Sequence, residues 1–394
     1  MYLKKEKNYY LTFFSIYILV YGLSAIFTIY IPLYFDYLKF NKTSIGILMA
    51  VGPLSNIISQ PLWGTLCDRV KIKNYILYIL LLCSGISFLL FPISNNFSYL
   101  LAIITAFVFF ERPIYAIYDT ITLEYIETSN WKYGHIRLAG SLGYSLVAMI
   151  SGYLIKLNIY NAFIIYFCLS ATNFILSSKL PKIKGHQSGE KKIFLLDLFK
   201  NRELVLLLSF NMIVQITFAF YNYFFSIYYK QAGADDFMVG FAIFLATMSE
   251  VVFLVFADRI IKFLNIKILL LISAALTATR WLSLYYFSNI YIILIVQILY
   301  GFTFIVFMFT STCYVNTNVK KELKASGQTI NMLISMGISP VIGSIVGGRL
   351  SDMLGIRQVF LCSSLLIVIA TIIFVIIFAV KERVIYQQSE KLLK

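Results

Sequence analysis

Ionisable residues interrupt the apolar sequence between residues 109 and 144, among them Glu111, Arg112, Asp119 and Arg137. In a lipid bilayer such a charge costs about 2.5–3.5 kcal/mol on insertion scales, so it usually faces a cavity or a partner. Carboxylate and guanidinium groups at that depth can bind polar solutes or help to move protons. We therefore expect the chemistry of this chain to lie in this stretch.

The spacing of these residues places part of the group on one helix face. Glu111, Tyr115 and Asp119 are four residues apart, so a helix presents them together. Asp119 lies near the end of one apolar run and Arg137 near the start of the next, at similar depth from the loop between them. These two could pair across their helices, whereas the adjacent Glu111 and Arg112 are not expected to face the same way.

The composition indicates a membrane protein with many helices. Of the 394 residues 60% are hydrophobic and 13% are charged, and the mean hydropathy is +0.82. A soluble globular protein is about 45–50% apolar. The apolar runs are continuous, which favours membrane helices over the short alternating strands of a β-barrel.

The formal net charge of +15 could indicate a nucleic-acid partner. However, Lys and Arg residues concentrate in every second loop, which is the positive-inside pattern of membrane proteins. We therefore expect no nucleic-acid partner, and we expect both termini and the central loop to face the cytoplasm. The apolar stretch near the N-terminus is too long for a signal-peptide core, so we interpret it as a retained membrane helix.

Twelve apolar runs are close to the 20 residues that span a bilayer. They divide the chain into an N-terminal six-helix bundle (residues 1–178), a central loop (179–203) and a C-terminal six-helix bundle (204–394). The runs cover about 9–35, 44–67, 74–93, 97–125, 134–156, 159–178, 204–229, 237–257, 266–287, 290–316, 325–348 and 357–380.

The sequence offers no pattern typical of a metal site. The five cysteines lie in or beside apolar runs without a CxxC pair, and His135 and His186 both fall in predicted loops. We expect neither a metal nor another cofactor.

The loop after predicted helix two, from Gly64 through Asp68 and Arg69 to Lys73, resembles the G-x-L-x-D-R-x-G-R-K loop of the major facilitator superfamily. Gln60–Gly64 and Ile31–Tyr34 are similar to the lactose-permease and phenylpropionate-permease-like branch of that superfamily. The resemblance covers most of the chain. It implies two pseudo-symmetric six-helix bundles, a gating loop that contains Gly64, Asp68 and Arg69, and a chain that works as a monomer.

The same resemblance assigns substrate-binding residues. Residues 133–143 are similar to the family's G-x-x-R-x-x-G-x-x-G motif at the start of helix five, whose Arg binds sugar together with a carboxylate eighteen residues upstream. Arg137 and Asp119 have this spacing, and Tyr144 matches an aromatic residue that stacks on the sugar. Tyr115 is a further candidate for the cavity wall. The alternative is a structural ion pair that only joins helices four and five.

Candidate proton-coupling residues follow in the second half. Glu250 resembles the family's helix-eight Glu, and Arg280 resembles its helix-nine Arg, although an Arg that merely balances Glu250 is the alternative. In helix ten, Tyr300 and Thr303 stand where the resembled family has a His and a Glu, and neither side chain gains or loses a proton near neutral pH. Glu111 and Arg112 are therefore added to the candidates.

These patterns predict an all-α secondary transporter in the cell membrane that moves a small polar organic solute. The resemblance implies a sugar or glycoside as that solute and a proton or other ion gradient as the driving force. A uniporter or an efflux transporter for a nucleoside, an aromatic acid or a drug-like solute is the alternative. A membrane receptor or a membrane enzyme is a distant one, since the longest loop is basic and offers few carboxylates.

Overall fold

The computed structural model describes residues 2–127, 129, 131–183, 202–263, 265–319 and 324–392. The described chain is helical, and eleven of its helices are long and apolar enough to cross a membrane, with a shorter apolar helix between the fifth and sixth of them. We number these twelve helices in chain order. They are α1 Tyr9–Tyr37, α2 Lys42–Arg69, α3 Asn74–Ile93, α4 Phe97–Ile126, α5 Tyr133–Leu157, α6 Asn161–Ser177, α7 Leu204–Gln231, α8 Asp236–Phe256, α9 Ile268–Tyr286, α10 Ile290–Thr317, α11 Gly327–Leu354 and α12 Ile356–Ile377.

Several helices extend beyond these apolar cores. The first begins at Tyr2, the eighth continues to Phe263 and the last to Leu392. The all-α prediction with twelve helices is confirmed. Most of the predicted central loop, residues 184–201, lies outside the described residues, so the predicted division at 178 and 204 stays a prediction.

Asparagine side chains begin three of the helices. Asn41, Asn96 and Asn289 precede α2, α4 and α10, and each accepts a hydrogen bond from a backbone N–H of the first turn. Such N-caps satisfy N–H groups that a helix cannot pair internally. They fix where these long apolar helices begin.

Two prolines explain the irregular turns of α1 and α11. Residues Ile26–Tyr30 and Leu333–Ile338 are π-helical, and each turn comes just before a proline, Pro32 or Pro340. Proline has no N–H and its ring crowds the carbonyl of the preceding turn, so the backbone there must rearrange. In α10, residues Gln297–Phe302 form a 3₁₀ turn.

The two halves meet at the end of the bundle where α1 joins α2, α5 joins α6, α7 joins α8 and α11 joins α12, which we call the closed end. A Cβ built on Gly46 of α2 would lie 2.2 Å from the carbonyl oxygen of Ser344 in α11, and one on Gly240 of α8 would lie 2.4 Å from that of Ala148 in α5. Glycine at these positions therefore lets the helices of opposite halves touch backbone to backbone.

Hydrogen bonds reinforce the same end. The Asp352 carboxylate of α11 accepts hydrogen bonds from the backbone N–H groups of Lys42 and Thr43 and from the Thr43 hydroxyl. Lys156 of α5 donates to Asp235, in the turn before α8, at 2.8 Å. Both contacts join one half to the other.

Candidate functional site

A cavity lies midway along the bundle, where both halves contribute to its wall. The space between its lining atoms, including the part that is open to solvent, is about 400 Å³. Its lining consists of Ile29, Tyr144, Tyr221, Asn222, Phe225, Ser226, Ile243, Ala246, Thr247 and Tyr300. Aromatic faces and neutral polar groups thus dominate the wall, which suits a ring-containing solute with hydroxyl or amide groups.

Tyr144, predicted to stack on the solute, lies in this wall. Its hydroxyl shares a hydrogen bond of 2.9 Å with Thr28 of α1. Tyr300 lies in the wall as well. Thr303 is fully buried, and its hydroxyl donates a hydrogen bond to the carbonyl oxygen of Tyr300 within α10.

Glu250 of α8 lies within electrostatic range of three tyrosines of the cavity wall, Tyr144, Tyr221 and Tyr300. It forms no hydrogen bond or ion pair with the described residues, and it lies within electrostatic range of Arg137 and Arg280. Its backbone is held tightly, because Gly301 of α10 packs against the backbone at Ser249 and Glu250 and donates its N–H to the Ser249 hydroxyl at 2.8 Å. A carboxyl group that no side chain holds is available to bind and release a proton.

Arg280 of α9 is fully buried. One nitrogen, Nη2, donates to Gln297 Oε1 at 2.7 Å, and that oxygen also accepts from the Tyr221 hydroxyl at 2.7 Å. The guanidinium carbon lies 4.3, 4.9 and 4.7 Å from the ring centres of Tyr221, Trp281 and Tyr300. Nε and Nη1 have no hydrogen-bond partner.

Asp119 and Arg137 do not form the direct ion pair that the sequence suggested. Asp119 Oδ1 accepts hydrogen bonds from Tyr17 at 2.6 Å and from Tyr133 at 2.7 Å. Arg137 instead stacks on the ring of Tyr21, with the guanidinium carbon 4.1 Å from its centre. Neither residue lines the cavity described above, and their direct contact with a solute stays a prediction.

Glu111 and Arg112 do contact each other, contrary to the expectation from their adjacency. Glu111 is 1% exposed, and its Oε2 lies 3.4 Å from Arg112 Nε, while Oε1 accepts from Tyr115 at 2.5 Å. The guanidinium group packs against Gly52 of α2 and over the ring of Phe27 in the π-helical turn of α1. The expectation considered only the directions in which adjacent side chains leave the helix. The long, flexible Arg112 side chain can turn back along the helix and reach Glu111. Tyr115, predicted for the cavity wall, therefore donates its hydrogen bond to this pair and is not among the residues that line the cavity.

Lys73 makes the ion pairs of the predicted gating loop, although no role was expected for it from the sequence. Asp68 lies 3.8 Å from Lys73 Nζ, and the buried Lys73 also forms an ion pair with Glu124 at the end of α4. A side chain on Gly64 would meet open space, and Arg69 is exposed. Lys73 thus joins α2, α3 and α4.

Sequence reasoning also missed Gln297, Tyr17 and Tyr133. Gln297 is a fully buried amide in an apolar run, which is a signal that could have found it. The tyrosines gave no such signal, because the chain has 29 of them.

Comparison with known proteins agrees with this arrangement. A profile of the MFS_1 like family matches residues 10–362. The chain is 26% identical over 339 residues to the uncharacterized transporter YwbF of Bacillus subtilis (strain 168), covering 83% of this chain and 82% of that protein. It is 23% identical over 348 residues to the maltose permease of Geobacillus stearothermophilus, covering 88% of each.

Among solved structures, the crystal structure of the nucleoside transporter NupG superposes with a TM-score of 0.85, covering 94% of this chain and 99% of that one at 18% identity. This likeness concerns the fold. Together with the family profile it agrees with twelve helices around a central cavity. The chain belongs to the MFS_1 like family and is a multi-pass membrane transporter of the major facilitator superfamily, not an enzyme.

Proposed function

We propose that this transporter moves a ring-containing polar solute, a sugar or glycoside, across the cell membrane by alternating access, with a proton as the coupling ion. The observation that carries the proposal is the composition of the cavity wall. Tyr144, Tyr221 and Tyr300 offer flat apolar faces, and Asn222 and Thr247 offer neutral hydrogen-bonding groups. Sugars bind to such walls through stacking and through hydroxyl hydrogen bonds. A similar protein is named as a maltose permease.

Glu250 is the proposed proton carrier. It has no partner among the described residues, whereas Asp119 and Glu111 both accept hydrogen bonds from tyrosines. Loss of the proton would leave a charge that Arg137 and Arg280 attract, and such a difference between two states can shift a conformational equilibrium.

The termini are proposed to face the cytoplasm, following the distribution of Lys and Arg residues between loops. The closed end then faces outward, so the described conformation is the one that is shut to the outside.

A thermal-shift screen of sugars, glycosides and nucleosides on the purified protein tests the substrate class. We expect a sugar or glycoside to raise the melting temperature, and we expect Tyr144→Ala to remove that shift. In proteoliposomes, addition of that solute should acidify the lumen, and Glu250→Gln should abolish acidification. Stabilisation by nucleosides alone would exclude the sugar assignment, and transport without proton movement would exclude proton coupling.

A nucleoside is the second candidate. The side-by-side rings of Tyr221 and Tyr300, with centres 5.7 Å apart, offer an area that also suits a nucleobase. The same thermal-shift screen distinguishes the two classes. If nucleosides stabilise the protein, the melting-temperature shifts caused by free nucleobases and by free pentoses would show which part of the nucleoside is recognised.

A further inference from the structure

Three carboxyl groups and three guanidinium groups lie within the described membrane-spanning helices, four of them near mid-helix and two, Asp119 and Arg137, toward the end of α4 and the start of α5. Their formal charges cancel when all six are ionised. The six residues are Glu111, Asp119, Glu250, Arg112, Arg137 and Arg280.

The three carboxyl groups differ in how they are held. Asp119 accepts two tyrosine hydroxyl hydrogen bonds, and Glu111 accepts one and lies 3.4 Å from Arg112 Nε. Hydrogen bonds and a nearby cation stabilise the ionised form of a carboxyl group. Glu250 has neither among the described residues. It is therefore the one of these three carboxyl groups that no described partner holds.

The arginines are poorly supplied with acceptors. Arg280 is fully buried, yet Nε and Nη1 lack a partner, and its one acceptor is the neutral Gln297. Arg137 stacks on Tyr21 and forms no ion pair with a described carboxylate. A buried guanidinium group strongly favours a carboxylate or phosphate partner, because such bonds are charge-assisted and often bidentate.

The charges that face Glu250 come from the neighbouring helices. Arg137 on α5 and Arg280 on α9 lie within electrostatic range, and the hydroxyl-bearing rings that face it are Tyr144, Tyr221 and Tyr300. When Glu250 binds a proton, the six-residue set keeps one excess positive charge. In an environment of low dielectric constant, such an imbalance attracts an anion strongly.

We propose that the transported solute is a monoanion whose carboxylate balances this excess charge when Glu250 is protonated, so that proton and solute bind cooperatively. The inference rests on the proposed transport function and narrows its substrate class to acidic rings, such as an acidic sugar or an aromatic acid. Proton and anion together add no charge, so transport is electroneutral.

The route from the cavity to Arg280 passes the rings of Tyr221 and Tyr300. These rings line the cavity and also stack on the guanidinium group. A single layer of aromatic rings therefore separates a carboxylate in the cavity from the guanidinium group, and the two charges attract each other across it.

Binding of matched acid and neutral probes tests the inference. The pairs are D-glucuronate with D-glucose and phenylacetate with 2-phenylethanol, measured by equilibrium binding to the purified protein at pH 6 and pH 8 and at equal ionic strength. We expect the acid of at least one pair to bind about tenfold more tightly than its neutral partner at pH 6, as one charge-assisted contact allows, and more weakly at pH 8.

Variants separate the roles of Glu250 and Arg280. Glu250→Gln should keep acid binding and make it equal at both pH values, because the amide imitates the protonated carboxyl group. Arg280→Gln should remove the preference for the acid, while Arg349→Gln, an exposed arginine near the closed end, should leave it unchanged. In proteoliposomes, acid uptake should follow a pH gradient and not respond to a potassium diffusion potential.

If D-glucose and 2-phenylethanol bind as tightly as D-glucuronate and phenylacetate, respectively, the inference is overturned and the proposed transport function stays intact. Acid uptake driven by membrane potential would overturn it as well. Failure of every sugar, nucleoside and aromatic probe to bind would count against both proposals.

Discussion

The Asp352 carboxylate of α11 caps the first turn of α2 from the opposite half of the molecule. Oδ1 accepts from the backbone N–H of Lys42 at 2.7 Å, and Oδ2 accepts from the N–H and the hydroxyl of Thr43 at 2.7 and 2.6 Å. A helix N-terminus carries partial positive charge and unpaired N–H groups, so a carboxylate stabilises it. This cap exists only while the two halves meet at the closed end.

Replacing Asp352 by Ala should therefore favour opening of the closed end. Loss of an N-cap costs about 0.5–2 kcal/mol, which corresponds to a change of about 2- to 30-fold in the ratio of closed to open molecules. Distance distributions between spin labels on the α1–α2 and α11–α12 connections would measure it. Asp36→Ala is the matched control, because Asp36 pairs with Lys42 within the same half. Equal distributions for both variants would contradict the role of Asp352.

A single methyl group on Gly240 should separate α8 from α5. The Cβ would lie 2.4 Å from the Ala148 carbonyl oxygen, which is far inside van der Waals contact. We expect Gly240→Ala to increase the labelling of a cysteine introduced at Ile243 by a water-soluble thiol reagent added from the closed end, in a background without native cysteines. Gly64→Ala is the control, since a Cβ there meets nothing within 4 Å. Unchanged labelling would show that this contact does not hold the end shut.

Gln297→Leu should lower the melting temperature of the protein. The substitution removes the acceptor shared by Arg280 and Tyr221, and leaving a buried charged donor unsatisfied costs about 1–3 kcal/mol or more. Gln297→Glu keeps an acceptor and supplies the missing negative charge, so we expect it to retain stability and to lose the preference for acidic probes. A Leu variant as stable as the parent would mean that the aromatic rings alone suffice for Arg280.

Lys73→Met should destabilise the contact between the ends of α2, α3 and α4. The buried ammonium group lies between Asp68 and Glu124, and its removal leaves two carboxylates without their cation. We expect a loss of about 1–3 kcal/mol, seen as a lower melting temperature in detergent. Lys71→Met changes an exposed lysine in the same loop and should have no such effect. Restored stability in Lys73→Met with Glu124→Gln would identify the unpaired carboxylate as the cause.

The ion pair between Lys156 and Asp235 should weaken only in acid. The hydrogen bond from the Lys156 ammonium lowers the pKa of the Asp235 carboxyl below its ordinary value. A carboxyl group with a depressed pKa stabilises the folded state above its ordinary pKa, and this contribution is lost as the pH falls through the depressed value. The contribution of this ion pair to closure should therefore be constant between pH 6 and 8 and should be lost below about pH 4. Asp235→Asn should show a smaller acid-dependent step when the same spin-label distances are measured as a function of pH, because the remaining step comes from the Asp352 carboxylate at the same end.

Several features of this protein follow from the sequence alone. Long apolar runs must form helices in a bilayer, because a backbone without water has to pair its own N–H and C=O groups. Helix four was predicted at 97–125 and spans Phe97–Ile126, and helix six was predicted at 159–178 and spans Asn161–Ser177. The isolated charges Glu250 and Arg280 were visible because so few charged residues occur in the apolar runs.

Only the tertiary structure decided which side chains are partners. Spacing along the chain placed Asp119 and Arg137 at similar depth. In the structure, however, Asp119 accepts hydrogen bonds from Tyr17 and Tyr133. Arg137 stacks on Tyr21, because the rotation of each helix decides which side chains it faces. Adjacency suggested that Glu111 and Arg112 point apart, yet the flexible Arg side chain brings them into contact. One-dimensional periodicity fixes the face and depth of a residue on its own helix. The angle and distance between helices, which determine its partners, depend on close contacts such as those at Gly46 and Gly240.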